Sequence, residues 1–159
     1  MTQRVGMGFD VHKLASGRKM VLGGVEIAHP KGLMGHSDAD ALVHAVCDAL
    51  LGAAALGDIG VHFPDSDERY RGISSLMFLS ETARMLHEEG YTILNVDTTV
   101  AAEAPKLAPY RDEMRQNMAE AMGINKGAVS VKATTTEGMS FVGRAEGIAA
   151  WAVALISKR

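Results

Sequence analysis

Residues 37–57 read SDADALVHAVCDALLGAAALG, and this stretch is the strongest structural signal in the sequence. Its apolar residues recur at spacings of three and four, which is typical of one face of an amphipathic helix. The predicted helix has Ser37 as its N-cap, runs from about residue 38 to residue 56, and ends at Gly57. Its apolar face consists of Ala41, Leu42, Ala45, Val46, Ala49, Leu50 and Ala53.

The segments on either side of this helix predict a mixed sheet. Residues 4–12 alternate between apolar and small or polar side chains, and this period of two indicates a strand. Further strands are predicted over 19–25, 92–101, 129–134 and 148–156, helices over 75–89 and 109–122, and loops over 28–36 and 58–74. This order favours an α+β fold in which the helices pack on one face of a mixed β-sheet, with residues 1–159 as a single domain.

Composition excludes several classes of protein. The 159 residues are 47% hydrophobic and 22% charged, which excludes a disordered tail, a collagen-like fibre and a coiled coil. The lone cysteine, Cys47, excludes an internal disulfide and a CxxC metal site. Because the sequence has no signal peptide and no apolar run of about 18 residues, we expect a cytoplasmic protein with no membrane partner.

The charge balance bears on the partners. The net charge is −3 and the basic residues are not clustered, so we expect no nucleic-acid partner. An anionic substrate would need specific cations, because the overall field of the protein does not attract it. The 17 glycines, together with many alanines, predict close packing of secondary-structure elements or of subunits.

Three residues suggest a metal site. Asp10 and His12 lie two apart and therefore share one face of the predicted strand. His44 lies on the polar face of the predicted helix, between Asp40 and Asp48. Asp10, His12 and His44 are three nitrogen and oxygen ligands, the number that leaves one position open on a catalytic zinc ion, and Asp48 could orient the imidazole. A hydrogen-bonded polar pair at the end of a strand is the alternative that the spacing leaves open.

Two further segments suggest binding of a nucleotide or a phosphate. Residues 134–138 read Thr-Thr-Thr-Glu-Gly, and their hydroxyls and amides, with Arg144 nearby, suit phosphate oxygens. Glu137 fits there if a Mg²⁺ or Mn²⁺ ion lies between its carboxylate and the phosphates. Residues 102–107 (Ala-Glu-Ala-Pro-Lys-Leu) could cradle a base. A plain β-turn and an ordinary loop remain the alternatives.

Several blocks, in register along nearly the whole chain, carry a family resemblance. They are GFDVH (8–12), the region from HSD (36–38) to GDIG (57–60), HFPD (62–65), APKL (104–107), KATTTE (132–137), and GR (143–144) with EGIA (146–149). In these blocks the chain resembles the 2-C-methyl-D-erythritol 2,4-cyclodiphosphate synthases, enzymes of the non-mevalonate isoprenoid pathway.

The resemblance implies a metal-dependent, CMP-releasing lyase. The 2-phosphate of 4-diphosphocytidyl-2-C-methyl-D-erythritol 2-phosphate would attack the β-phosphorus, giving 2-C-methyl-D-erythritol 2,4-cyclodiphosphate and CMP. Zn²⁺ would be bound by Asp10, His12 and His44. Glu137 would hold a second ion, Mg²⁺ or Mn²⁺, between the α- and β-phosphates. His36 and Thr135 would be catalytic, stabilising the transition state.

The resemblance also implies a cyclic homotrimer with active sites at the subunit interfaces. The segment 102–108 would hold the cytidine diphosphate of a substrate bound at the neighbouring subunit, and a central cavity bordered by Phe9, Phe141, Arg144 and Glu146 would accept an isoprenoid diphosphate. The implied substrate-binding residues are Asp10, Val11, His12, His36, Ser37, Asp58, Ile59, Gly60, Phe63, Pro64, Asp65, Ser66, Asp67, Ala102, Glu103, Ala104, Pro105, Lys106, Leu107, Ala108, Thr134, Thr135, Thr136, Glu137, Phe141 and Arg144.

Two stretches depart from the family pattern, and two other functions compete with the implied one. Gly138-Met139-Ser140 replaces a more usual Lys-Leu-Gly, and Ala145 stands where glycine is common in the family, close to Arg144. A phosphohydrolase of nucleoside diphosphate compounds would use the same ligands with metal-bound hydroxide as the nucleophile. A trimer that binds isoprenoid diphosphates without turnover is the non-enzymatic alternative.

Overall fold

The computed structural model describes residues 1–158. Over this range the strands are β1 (Thr2–Ser16), β2 (Met20–Leu22), β3 (Val25–Ile27), β4 (Lys31–Leu33), β5 (Tyr91–Ala101), β6 (Val129–Thr134) and β7 (Gly147–Lys158). The α-helices are α1 (Ala41–Ala54), α2 (Ile59–His62), α3 (Ser75–Glu88), α4 (Arg111–Met122) and α5 (Ser140–Gly143). Short 3₁₀ turns cover Glu68–Tyr70, Ala108–Tyr110 and Lys126–Ala128.

A five-stranded mixed sheet forms the centre of the molecule. Its strand order is β4-β1-β7-β5-β6, in which β5 and β6 are parallel and the other neighbours are antiparallel. Strands β2 and β3 form a separate hairpin. The predicted mixed α+β fold is therefore confirmed.

Several predicted boundaries differ from the observed ones. The N-cap of α1 is Asp40 and not Ser37, because the Asp40 side chain accepts the N–H of Val43. The helix ends at Ala54, with Ala55 as a left-handed C-cap, and does not extend to Gly57. The predicted loop at 28–36 contains β4, which pairs with the end of β1, and the predicted loop at 58–74 contains α2 and a 3₁₀ turn. Pro109 lies in the 3₁₀ turn that precedes α4, rather than at the first position of that helix.

The buried face of β1 lies directly against the backbone of α1. A Cβ atom added to Gly8 would lie 1.9 Å from the carbonyl oxygen of Ala45, and one added to Gly6 would lie 2.0 Å from that of Ala49. Only glycine on the strand permits this approach, and alanines on the facing side of the helix keep the two backbones close. The close packing that the glycine and alanine content predicts is observed at this contact.

The opposite face of β1 and β7 is apolar and exposed. Phe9 pairs with Trp151 across the two strands, with ring centroids 5.2 Å apart, and Met7 pairs with Val153. These side chains are 40–64% exposed, and Val5 on the same face is 66% exposed. In a single chain this surface is an apolar patch that no helix of the described residues covers.

No helix within residues 1–158 is long and apolar enough to cross a membrane.

We predict that Gly8→Ala destabilises the protein by about 1–3 kcal/mol or more, because the new methyl group must push α1 away from β1. Gly52→Ala is the matched control: Gly52 lies in α1, no atom lies within 4 Å of an added Cβ, and alanine should stabilise the helix by about 0.5–1 kcal/mol. Chemical denaturation of both variants at one protein concentration measures the difference. Equal stability of the two variants would contradict the close contact.

Candidate metal centre and substrate clefts

Alternation along β1 brings the predicted metal ligands to the helix-facing side of the sheet. Asp10 and His12 follow Gly6 and Gly8 on that face, and the close approach of α1 brings His44 to them. The Oδ2 atom of Asp10 lies 2.8 Å from Nε2 of His12 and 3.2 Å from Nδ1 of His44. The two ring nitrogens are 3.2 Å apart. The three atoms thus form one cluster that could hold a metal ion.

The electrostatics of this cluster favour a cation at its centre. Asp10 is partly buried, which raises its pKa, but the contacts from His12 and His44 outweigh burial and hold the pKa at about 2. Burial lowers the pKa of His12, yet the carboxylate of Asp10 raises it above the usual value. Oδ2 of Asp10 is buried and has no well-aligned hydrogen bond within the described residues. A carboxylate oxygen and two nitrogens that converge in this way fit a divalent metal ion.

Hydrogen bonds on the far side of each ring orient the two histidines. Nδ1 of His12 donates to the carbonyl oxygen of Met34, 2.7 Å away, so Nε2 faces the cluster. Nε2 of His44 lies 2.8 Å from Oγ of Ser75, so Nδ1 faces the cluster. Sequence reasoning missed Met34 and Ser75, because these contacts join residues 22 and 31 positions apart and follow no local pattern.

The expected role of Asp48 is wrong. Its carboxylate accepts the backbone N–H of Ile59 at 2.8 Å and makes no hydrogen bond to His44 within residues 1–158. Burial raises the pKa of Asp48. The side chain therefore fixes the start of α2, next to Gly60, instead of orienting the imidazole.

A cleft of about 310 Å³ opens beside the cluster. His36 lines it and has a buried Nε2 atom without a hydrogen-bond partner among the described residues, which suits a group that meets a ligand. Besides His36 and the three cluster residues, predicted site residues that line the cleft are Ser37, Ile59, Gly60, Phe63, Pro64 and Asp65.

Four other predicted residues do not line this cleft. The carboxylates of Asp58 and Asp67 cap α2 and the 68–70 turn, and Asp67 also pairs with Arg69. Ser66 is outside the lining, and Val11 is exposed on the other face of β1.

A second cavity, of about 280 Å³, lies between the end of β6 and the segment after β5. It is lined by Ala102, Glu103, Pro105, Lys106, Leu107, Ala108, Arg111, Ala133, Thr134 and Thr135, and it shares no residue with the first cleft. The cleft and the second cavity lie toward the same end of the sheet. Strands β7 and β5 lie between β1 and β6, which are therefore about 14 Å apart at ordinary strand spacing.

The remaining predicted residues do not line the second cavity. Ala104, Thr136, Glu137, Phe141 and Arg144 are outside its lining. The carboxylate of Glu103 accepts the N–H and the hydroxyl of Thr136, at 3.0 and 3.2 Å, so this side chain shapes the loop. Arg144 pairs with Glu146 on the surface at 2.8 Å.

The backbone accounts for the glycines that the resemblance implies at positions 140 and 145. Ser140 has φ 65° and Ala145 has φ 54°, both in the left-handed region that favours glycine. Glu137 also has a positive φ, 54°. The loop nevertheless closes with non-glycine residues at all three positions.

The fold and the cluster define an α+β protein with a candidate three-ligand metal centre at the edge of its sheet. A family model described as the YgbB family matches residues 3–157. The chain is 60% identical, over 98% of both sequences, to the 2-C-methyl-D-erythritol 2,4-cyclodiphosphate synthase of Alkaliphilus metalliredigens. The chain therefore belongs to the 2-C-methyl-D-erythritol 2,4-cyclodiphosphate synthase family, which places it among the cyclising lyases of non-mevalonate isoprenoid biosynthesis.

Solved structures of relatives share the fold. The bifunctional IspDF from Campylobacter jejuni matches 99% of this chain at 38% identity with a TM-score of 0.95, and this chain spans 43% of that protein. The IspF of Plasmodium falciparum, solved as a complex with CDP, matches 99% of this chain and 97% of its own at 31% identity with a TM-score of 0.87.

The guanidinium of Arg18 holds the loop that carries His36. It donates to the carbonyl oxygens of Leu33, Gly35 and Ser37 at 3.0, 3.0 and 3.3 Å. One planar group with several donors makes all three contacts, which a lysine ammonium cannot reproduce.

We predict that Arg18→Lys loosens residues 33–37, because one or two of the three hydrogen bonds are lost. Each contributes about 1 kcal/mol to stability. Hydrogen–deuterium exchange of this loop should become faster, and turnover should fall by about tenfold. Arg84→Lys is the control, because Arg84 is exposed and, within residues 1–158, pairs only with Glu81 and Glu88. Unchanged exchange in the 33–37 loop would show that Arg18 does not hold it.

Proposed function

We propose that this chain converts 4-diphosphocytidyl-2-C-methyl-D-erythritol 2-phosphate to 2-C-methyl-D-erythritol 2,4-cyclodiphosphate and CMP in the cleft beside the cluster. The convergence of Asp10, His12 and His44 carries this assignment. Family membership supports the reaction, and the cleft supplies a place for the reacting phosphates.

We assign zinc to the cluster. Two imidazole nitrogens and one carboxylate oxygen suit Zn²⁺, and a fourth position would face the cleft. When bound, zinc would act as a Lewis acid that neutralises phosphate charge and as a template that orients the substrate. Glu137 is the proposed anchor of a second ion, Mg²⁺ or Mn²⁺, which a protein of net charge −3 needs to accept three phosphate groups.

The chemistry requires positioning rather than a nucleophile from the protein. An oxygen of the 2-phosphate attacks the β-phosphorus, the bond from that phosphorus to the oxygen of CMP breaks, and CMP leaves with the bond electrons. Holding both ends of one substrate in line can lower the barrier by about 7–11 kcal/mol. His36, through its unpartnered Nε2, and Thr135 are proposed to bind the developing charge, and Phe63 and Pro64 exclude water.

The nucleotide half of the substrate is assigned to the second cavity. Lys106 offers a charge, Thr134 and Thr135 offer hydroxyls, and the backbone of 102–108 could contact the base. The relative from P. falciparum was solved with CDP, which supports a cytidine nucleotide as the ligand.

We further propose a cyclic homotrimer in which one subunit supplies the metal cleft and its neighbour the nucleotide cavity. The separation of the two cavities within one chain supports this arrangement. The exposed apolar face around Phe9 and Trp151 supports assembly, because a patch of this kind marks a protein interface. Two further features remain predictions. One is a central cavity near Phe141 and Arg144 that accepts an isoprenoid diphosphate, and the other is the cytoplasmic location.

We predict that His44→Ala abolishes zinc binding and reduces turnover at least a hundredfold while the trimer stays assembled, because the apolar face of α1 is untouched. Elemental analysis measures the metal, and phosphorus NMR identifies the product of the wild-type protein. A cyclic diphosphate with equimolar CMP is expected. A linear product would favour the phosphohydrolase, and stoichiometric zinc in the variant would overturn the ligand assignment.

A second prediction concerns the shared site. His44→Ala and Lys106→Ala, each crippled alone, are refolded together in equal amounts. With random assembly about three quarters of the trimers are mixed, and each mixed trimer has one interface between two intact halves, so about a quarter of all sites should recover. Native mass spectrometry confirms mixing. Activity no higher than the average of the two parents would show that each site lies within one subunit.

A further inference from the structure

A hydrogen-bond chain runs from the candidate metal ligand His44 to a carboxylate outside the cluster. Nε2 of His44 lies 2.8 Å from Oγ of Ser75, and the hydroxyl of Ser75 donates to Oδ1 of Asp38. Ser75 is fully buried at the first turn of α3. The chain therefore links the first turns of α1 and α3.

The chemistry of these three groups fixes the direction of their protons. A carboxylate oxygen only accepts, so the single hydroxyl proton of Ser75 points to Asp38. Oγ of Ser75 is then an acceptor toward the imidazole, and Nε2 of His44 must carry the ring proton. The lone pair of the neutral ring is left on Nδ1, the atom that faces Asp10 and His12.

Neighbouring groups hold this chain in place and do not reverse it. The carboxylate of Asp38 also accepts the backbone N–H of Ser75 at 3.0 Å and that of Asp40 at 3.2 Å, so its oxygens are fixed as acceptors. Oγ of Ser37 accepts the N–H of Ala39 and lies 3.3 Å from Nε2 of His44 and 3.5 Å from Oγ of Ser75. If Ser37 donates its own proton to Oγ of Ser75, the direction of the chain is unchanged, because that oxygen can accept two hydrogen bonds.

We propose that Ser75 and Asp38 are positioning residues that keep the ring proton of His44 on Nε2 and aim Nδ1 at the metal. This inference rests on the metal centre assigned in the proposed function. Mutation of a residue that hydrogen-bonds to a histidine ligand typically weakens metal binding by about 10–100-fold. Neither Ser75 nor Asp38 lines the cleft beside the cluster. Their loss should therefore lower kcat at limiting zinc, because fewer sites hold the metal, and should change KM little.

The first test compares Ser75→Ala with Ser74→Ala. Ser74 is the adjacent N-cap residue of α3, is exposed and makes no side-chain hydrogen bond to the helix, so it is a matched control. Zinc affinity is measured by competition with a chromogenic chelator. We expect binding about 10–100-fold weaker in Ser75→Ala and unchanged in Ser74→Ala. Equal affinities in the two folded variants would overturn the proposal.

A second measurement needs no variant to fold. Nitrogen NMR of the metal-free wild-type protein, labelled at histidine and held where the ring is neutral, identifies the protonated nitrogen of His44. We expect a single tautomer protonated at Nε2. A ring protonated at Nδ1, or an even mixture of both tautomers, would overturn the proposal.

A double-mutant cycle tests whether the two residues act in series. Asp38→Asn should weaken zinc binding, and adding it to Ser75→Ala should weaken binding little further, because its path to His44 is already broken. Full additivity would show that they act separately.

If the wild-type protein binds no zinc, the proposed metal centre fails. Zinc binding by the wild type that Ser75→Ala leaves unchanged overturns this inference alone.

Discussion

The contact between the backbone of β1 and that of α1 is the constraint on which the site depends. Gly6 and Gly8 leave no side chain between strand and helix, so the two backbones lie closer than ordinary strand–helix packing allows. The next two residues on the same strand face are Asp10 and His12, and the facing helix carries His44. The candidate metal centre is therefore a direct extension of a packing contact.

Charged side chains secure the loops around this contact by binding backbone groups. Buried Asp40 accepts the N–H groups of Gly23, Gly24 and Val43. These hydrogen bonds lower the pKa of Asp40, but burial and the charge of Asp38 outweigh them and raise it to about 6. Arg18 holds three carbonyl groups of the 33–37 loop in a similar way. These groups stabilise a rigid cleft, which is what a reaction based on positioning requires.

The single chain keeps the two proposed parts of the active site apart. The cleft beside the cluster and the second cavity are separated by β7 and β5, while the outer face of the sheet is apolar and exposed. An assembly of several chains would cover this face and could bring the two halves of neighbouring subunits together. The proposed trimer thus accounts for both the separation of the two cavities and the exposed apolar face.

The sequence by itself determined the long strands and helices, the mixed sheet and the candidate metal ligands Asp10, His12 and His44. Strand and helix periodicities are local, and the motifs that carry the family resemblance are contiguous. The sequence did not determine the N-cap of α1, the short strand β4 or the partner of Asp48, because each depends on contacts with distant segments. The tertiary structure alone joined Ser75 and Asp38 to His44. A hydrogen bond across 31 residues leaves no periodic trace, since a serine at a helix start satisfies the local pattern whether or not a histidine lies beside it.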